Sequence, residues 1–271
     1  MKYAICNETF GDWPLEKAVR FAAEAGYRGW EVAPFMLADD IRTLDSQSRA
    51  AYRRVVESEG LEIIGLHWLL AKTDGYHLTS DDVPTRQRTS EYLADLARLC
   101  RDLGGRVMVL GSPQQRNLPE GFPRERGMEN AAAVIRDAVP VLEECGVRLA
   151  LEPLGPQEGN FLNTAAEARE LQRMIGSEQV GLHLDVKAMS TEALPVPELI
   201  RSHADALLHF HANDPNRQGP GMGEVDFQPI FAALREIAYD GWVSVEVFDY
   251  SPGVEALVLD SMRNMRTAAG D

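Results

Sequence analysis

Short apolar runs alternate with longer stretches in which apolar residues recur every three or four positions. The first pattern is typical of buried strands and the second of amphipathic helices. Strands are predicted at Tyr3–Asn7, Gly29–Val32, Glu62–Leu66, Arg106–Leu110, Val147–Glu152, Val180–Asp185, Ala206–His211 and Trp242–Val247. Helices are predicted at Pro14–Ala25, Ser46–Glu59, Pro84–Leu103, Gly127–Cys145, Thr164–Gly176, Val196–Ala204, Phe227–Tyr239 and Val254–Thr267.

This regular alternation indicates an α/β fold, with a helix after every strand. Eight such units in 271 residues predict one (β/α)8 TIM barrel, a single domain spanning residues 1–271. A doubly wound open sheet is the alternative fold. It is disfavoured because no G-x-G-x-x-G turn follows the first strand.

The segments after the strands are long, whereas those after the helices are often a glycine and one neighbour. The long segments are 69–83, 111–126, 153–163, 186–195 and 212–226. In a TIM barrel, the loops that follow the strands build the active site. We therefore expect the chemistry at the carboxyl ends of the strands.

Four polar residues lie at or near the ends of the last four predicted strands: Glu152, Asp185, His211 and Glu246. Parallel neighbouring strands would bring these side chains together. Three carboxylates at one place would repel each other, and a divalent cation would relieve that repulsion. Oxygen ligands with one imidazole suit Mn²⁺, Mg²⁺ or Co²⁺ better than a structural zinc. Taken singly, a carboxylate at a strand end is more often a capping residue and a histidine is more often simply hydrogen-bonded. The prediction therefore rests on the occurrence of all four residues at consecutive strand ends.

Composition narrows the class of protein. The net charge of −15 and the lack of a Lys/Arg cluster argue against a nucleic-acid partner. No apolar run approaches the ~20 residues of a membrane span, and the first residues lack the charged and apolar regions of a signal peptide. Cys6, Cys100 and Cys145 are widely spaced, as in proteins of a reducing compartment. We therefore expect a cytoplasmic protein without a membrane partner.

Essentially the whole chain resembles the xylose isomerase-like TIM barrels, and especially their ketose 3-epimerase branch. The resemblance is strongest in LALEPLGP (149–156), GLHLD (181–185), HFHANDPN (209–216), GPGMGEVDF (219–227) and YDGWVSVEVF (239–248). It implies one divalent ion, Mn²⁺ first with Mg²⁺ or Co²⁺ as alternatives. The implied metal ligands are Glu152, Asp185, His211 and Glu246. The implied substrate-gripping arginine is Arg217.

The resemblance also implies a reaction on a small-molecule sugar. A ketose would chelate the ion, one of Glu152 and Glu246 would remove a proton beside the carbonyl, and the ion would stabilise the enediolate. Return of the proton to the same carbon gives epimerisation, and return to the neighbouring carbon gives isomerisation. Members of this family are often homodimers or homotetramers, which is analogy alone.

The chain departs from the 3-epimerase pattern at Ala188, where that branch has a substrate-binding histidine. Lys187 and His183 are the candidates to replace the lost donor. Lys187 could equally be a solvated loop residue, and His183 could lie inside the barrel. The difference at Ala188 argues against 3-epimerase activity more than against the metal site.

Residues after the first and third strands are further candidates. His67 and Trp68 are predicted to form a wall of the pocket, where Trp68 could stack on a sugar or simply close the barrel. Asn7 and Glu8 could reach the rim of the pocket, but a position at the surface is expected.

Three other functions are compatible with the same fold. A metal-dependent lyase or dehydratase of a keto-sugar or keto-inositol would expel a substituent instead of returning the proton. A non-catalytic sugar-binding barrel would not need all four ligands, yet all four are present. A DNA-repair endonuclease would need more metal ligands and a cationic surface, which the acidic charge opposes.

Overall fold

The strands close into a barrel in a computed structural model that describes residues 1–270. All are parallel, each pairs with the next in sequence, and the last pairs with the first. They are β1 Lys2–Cys6, β2 Gly29–Val32, β3 Glu62–Leu66, β4 Val107–Leu110, β5 Arg148–Leu151, β6 Val180–Asp185, β7 Leu207–Ala212 and β8 Trp242–Val245. The predicted (β/α)8 architecture is confirmed, and the open sheet is excluded.

Helices follow the strands along the chain. They are α1 Leu15–Ala25, α2 Ser46–Ser58, α3 Val83–Leu103, α4 Arg124–Cys145, α5 Ala165–Ile175, α6 Val186–Met189, α7 Val196–Ser202, α8 Phe227–Glu236 and α9 Val254–Ala269. Thr164 caps α5, because its hydroxyl accepts the Glu167 N–H at 3.2 Å. None of the helices in residues 1–270 is long and apolar enough to cross a membrane.

The main differences from the predicted helices are at α6, α4 and α8. The short helix α6 lies inside the predicted loop 186–195, where four residues are too few to show a helical period. Helix α4 begins at Arg124, directly after Pro123, rather than at Gly127. Helix α8 ends before Tyr239, since Ala238 adopts a positive φ of 52°.

The apolar core lies largely between the barrel wall and the surrounding helices, and includes Trp30, Phe210 and Phe231. The interior of the barrel near the carboxyl ends of the strands is instead polar. Glu31 on β2 and His209 on β7 are both almost completely buried there. Barrel interiors are usually filled by branched apolar side chains. The polar filling therefore marks the end of the barrel that carries the chemistry.

Candidate active site

The ends of β5 to β8 bring the four predicted ligands into one cluster. Asp185 and His211 are paired residues of β6 and β7, while Glu152 and Glu246 immediately follow β5 and β8. Four potential ligand atoms lie within 4.8 Å of one another, one each from Glu152, Asp185, His211 and the neighbouring His183. Glu246 Oε2 lies 3.0 Å from His211 Nδ1. Their roles as ligands remain predictions.

The cluster concentrates negative charge in a nearly solvent-free place, since its three carboxylates are at most 7% exposed. Burial, and then repulsion from Glu246 and Asp185, raises the pKa of Glu152 well above its usual range. Burial also raises the pKa of Asp185, although Lys187 opposes that shift. For Glu246, burial is outweighed by the adjacent His211, and its pKa is lowered. A divalent cation would offset the repulsion that remains.

Nearby backbone and amide groups hold these carboxylates in place. Asp185 Oδ1 accepts the Ala188 N–H at 2.8 Å, and Asp185 Oδ2 accepts a hydrogen bond from the Asn213 amide. Glu152 lies against Gly111, where an added Cβ would come within 1.6 Å of Glu152 Oε2. The absence of a side chain at Gly111 therefore leaves space for the Glu152 carboxylate. Oriented carboxylate oxygens with one imidazole fit a divalent cation of the Mg²⁺ or Mn²⁺ class.

A cavity of ≈ 340 Å³ opens over the cluster, a volume suited to a small polar ligand. Both Glu152 and Glu246 line it, and so do Trp68, Arg217 and Phe248. The Trp68 indole N–H donates to Glu246 Oε1, so this tryptophan contacts an acidic residue of the cluster as well as the cavity. Its ring centroid is 5.9 Å from that of Phe248. The predicted pocket wall is therefore present at Trp68.

Backbone strain is concentrated around this cavity. Five non-glycine residues in residues 1–270 have positive φ, and three of them line the cavity: Trp68 (53°), Lys72 (58°) and Arg217 (72°). Such conformations are costly for residues with a Cβ and cluster at functional sites. Arg217 is fixed further by a neighbour in the cavity lining, since its guanidinium donates to the Phe248 carbonyl at 3.3 Å.

Lys187 is not a solvated loop lysine. It is 8% exposed, its Nζ donates to Glu158 Oε2 at 2.7 Å, and it lies 4.3 Å over the ring of Phe248. Both partners line the cavity. Ala188 is buried beside it and offers no side-chain donor.

The other predicted binding residues lie deeper than expected. His183 is fully buried, with its ring 4.2 Å from that of His211 and both ring nitrogens without a hydrogen-bond partner among residues 1–270. His67 is also fully buried and is not among the side chains that line the cavity, contrary to the prediction of a wall residue. Its Nε2 lies 2.9 Å from Glu8 Oε2.

The expectation that Asn7 and Glu8 lie at the surface was wrong, because both are at most 7% exposed. A short 3-10 turn, Asn7–Phe10, folds them inward. Asn7 Oδ1 accepts the Ala33 N–H at 2.8 Å. Glu31 was missed altogether, and its only signal was a charged residue within the short apolar run Gly29–Val32.

Comparisons with known proteins agree with this geometry. A family model described as xylose isomerase-like TIM barrel matches residues 19–268. The chain belongs to the xylose isomerase-like TIM-barrel family. Within that family, a D-psicose 3-epimerase of Enterocloster bolteae is 28% identical over 98% of this chain and 88% of its own. A 3-dehydro-D-guloside 4-epimerase of Escherichia coli K12 is 24% identical over 91% and 92% of the two chains.

Solved structures of other proteins show the same fold. The D-psicose 3-epimerase from Clostridium cellulolyticum H10, crystallised with D-tagatose, superposes with a TM-score of 0.87. The match covers 99% of each chain at 20% identity. At that identity the likeness concerns the fold alone, so the activity has to be argued from the site.

Proposed function

We propose that this protein is a divalent-metal-dependent sugar epimerase or isomerase that acts on a ketose. One observation carries the proposal: Glu152 and Glu246, two carboxylates of the buried cluster, line the same sugar-sized cavity. Named relatives that span nearly the whole chain are sugar epimerases, which supports the same reaction class.

The reaction follows from the positions of these side chains. A bound divalent cation, Mn²⁺ by preference, would supply Lewis-acid stabilisation of the charge that develops on the carbonyl oxygen. Glu152, Asp185, His211 and Glu246 would hold it. One of the two cavity glutamates removes the proton from the carbon beside the carbonyl, and the other returns a proton. Arg217, which lines the cavity, donates hydrogen bonds to substrate oxygens, and Lys187, which is not among the lining residues, fixes the cavity residue Glu158.

Elimination is the second candidate, and Ala188 favours it. The buried methyl group gives no donor where the 3-epimerase pattern has a histidine. A keto-sugar or keto-inositol bound without that donor would lose a substituent after the same proton removal. The two reactions differ in their products, which are a stereoisomer in one case and an unsaturated compound with released water in the other.

The experiment is a metal analysis of the purified protein followed by a ketose panel with Mn²⁺, Co²⁺ or EDTA. We expect one divalent ion per chain and conversion of a ketose to its epimer or isomer that stops with EDTA. A bound ion with elimination products would replace epimerisation by the lyase reaction. A protein that binds no divalent ion would contradict both. Homodimeric or homotetrameric assembly and a cytoplasmic location also remain predictions.

A further inference from the structure

We propose that Glu31 is a positioning residue for His211: it holds the His211 Nε2–H so that the Nδ1 lone pair faces the cation. This inference rests on the proposed function, since it assigns how one ligand of that site is oriented. Nothing in the sequence resemblance included Glu31 or the strand that carries it.

The geometry begins with a carboxylate inside the barrel. Glu31 is 0% exposed and lies on β2, which is not a neighbour of β7 in the sheet. Its side chain must therefore cross the barrel interior to reach the two β7 histidines. Both carboxylate oxygens lie 3.2 Å from His211 Nε2, and Oε2 lies 2.9 Å from His209 Nε2. The Cys6 thiol, at 3.8 Å from Oε2, is a further contact.

These contacts set the hydrogens of His211. A buried ionised carboxylate accepts hydrogen bonds, so the imidazole nitrogen that faces it carries the hydrogen. The ring's other nitrogen, Nδ1, faces Glu246 Oε2 at 3.0 Å and is the one on the side of the metal cluster. A metal-bound imidazole nitrogen must be free of hydrogen, and the opposite nitrogen is usually fixed by a carboxylate or carbonyl. Glu31 occupies that second position.

Without Glu31, His211 would lose the contact that selects this tautomer. The Glu246 carboxylate would then favour a hydrogen on Nδ1, directly in competition with a cation. His183 cannot replace the missing restraint, because it packs against the His211 ring but forms no hydrogen bond to it. A purely structural role would not require a charge, since burying a carboxylate in a barrel interior is costly compared with an apolar side chain.

The test compares Glu31→Gln with Tyr27→Phe. Tyr27 is a control for the loss of a buried polar contact, because it is fully buried and its hydroxyl donates to the Val258 carbonyl of α9 at 3.0 Å, away from the acidic cluster. Co²⁺ binding would be measured by calorimetry and by the visible absorption of the bound ion. We expect Glu31→Gln to weaken Co²⁺ affinity by about 10–100-fold and to change that absorption, as loss of such a partner typically does. Tyr27→Phe should retain the wild-type affinity and spectrum.

Equal Co²⁺ affinity in wild type and Glu31→Gln would overturn the role of Glu31 and leave the proposed function standing. A wild-type protein that binds no Co²⁺ or Mn²⁺ would overturn both. Glu31→Asp, which keeps the charge, should recover part of the affinity; affinity no better than that of Glu31→Gln would count against the role.

A measurement on the wild-type protein decides the case even if Glu31→Gln fails to fold. Nitrogen-15 spectra of the imidazoles in the Zn²⁺-loaded protein distinguish the two tautomers of His211. We expect the hydrogen on Nε2 and the metal on Nδ1. The opposite arrangement would overturn the inference.

Discussion

Single side chains at this site have partners on several elements, and Glu246 illustrates this. One of its oxygens accepts the indole N–H of Trp68 from the loop after β3, and the other faces His211 on β7. Its position is therefore fixed before a ligand arrives. Preorganised groups of this kind are what proton transfer requires.

The two cavity glutamates should both be needed for turnover. Glu152→Gln and Glu246→Gln keep side-chain volume but remove the base, so each should lower kcat by about 10²–10⁴-fold. Steady-state kinetics on the best ketose would measure this, with circular dichroism to confirm that each variant is folded. Near wild-type kcat in either variant would contradict a mechanism that uses two bases.

Trp68 should affect the rate through Glu246. Trp68→Phe keeps an aromatic wall but removes the indole N–H, so we expect kcat to fall by about tenfold, on the order of one hydrogen bond to a charged group, with little change in KM. Trp30→Phe is a matched control, because its indole N–H donates to the Tyr52 hydroxyl at 2.8 Å in the core. That variant should lose stability while kcat is retained. Equal kcat in the two variants would show that the Trp68 contact does not act on catalysis.

At the scale of elements, the strands were predictable because each is a short, largely apolar run, and the last four have a polar residue at or next to their end. The four residues after or at the ends of β5 to β8 could therefore be found from their positions alone. Asn7 and Glu8 could not, since their burial depends on a 3-10 turn that local sequence does not indicate. Glu31 lies in a strand of four residues, too short for an alternating pattern to show which way its side chain points.

The close approach of β4 and β5 gives a prediction at this scale. Gly111 directly follows β4, and a methyl group there would overlap Glu152 Oε2. Gly111→Ala should therefore displace Glu152 and weaken divalent-cation binding by at least about tenfold, comparable to the loss of an orienting contact. Binding of Mn²⁺ measured by calorimetry would show this.

Gly121→Ala separates this clash from a general effect of replacing glycine. Gly121 has a φ of 74° with open space around its Cα, so the substitution strains the backbone away from the cluster. Its melting temperature should fall while its Mn²⁺ affinity is retained. Unchanged affinity in Gly111→Ala as well would mean that Glu152 can move aside without cost.

At the scale of the whole molecule, the charge of the acidic cluster affects the stability of the fold. Burial and repulsion raise the pKa of Glu152, so the metal-free protein loses stability as pH rises and this carboxyl ionises. His211 also makes cation binding stronger at higher pH. Glu31 and Glu246 raise its pKa more than burial lowers it. Its Nδ1 must lose a hydrogen before it can bind the cation. Cation binding should therefore strengthen with pH.

We expect the difference in melting temperature between Mn²⁺-loaded and EDTA-treated protein to increase from about pH 5 to about pH 8. Over this range the pH rises through values above the ordinary pKa of Glu and then of His. Binding to the folded state alone gives about 2.7 kcal/mol when the free ion is at 100 times its Kd. Differential scanning calorimetry in matched buffers would measure the gap. A gap that is constant or narrows with pH would contradict the coupling.

The directions of the first strand and the last helix have a practical consequence. Strand β1 starts at Lys2 on the face opposite the cavity, and α9, which runs back from the end of β8, finishes near that same face at Ala269. A tether to a solid support attached at Lys2 or Ala269 would therefore lie on the side away from the cavity mouth. The protein could be immobilised in one orientation, with every cavity facing the substrate stream.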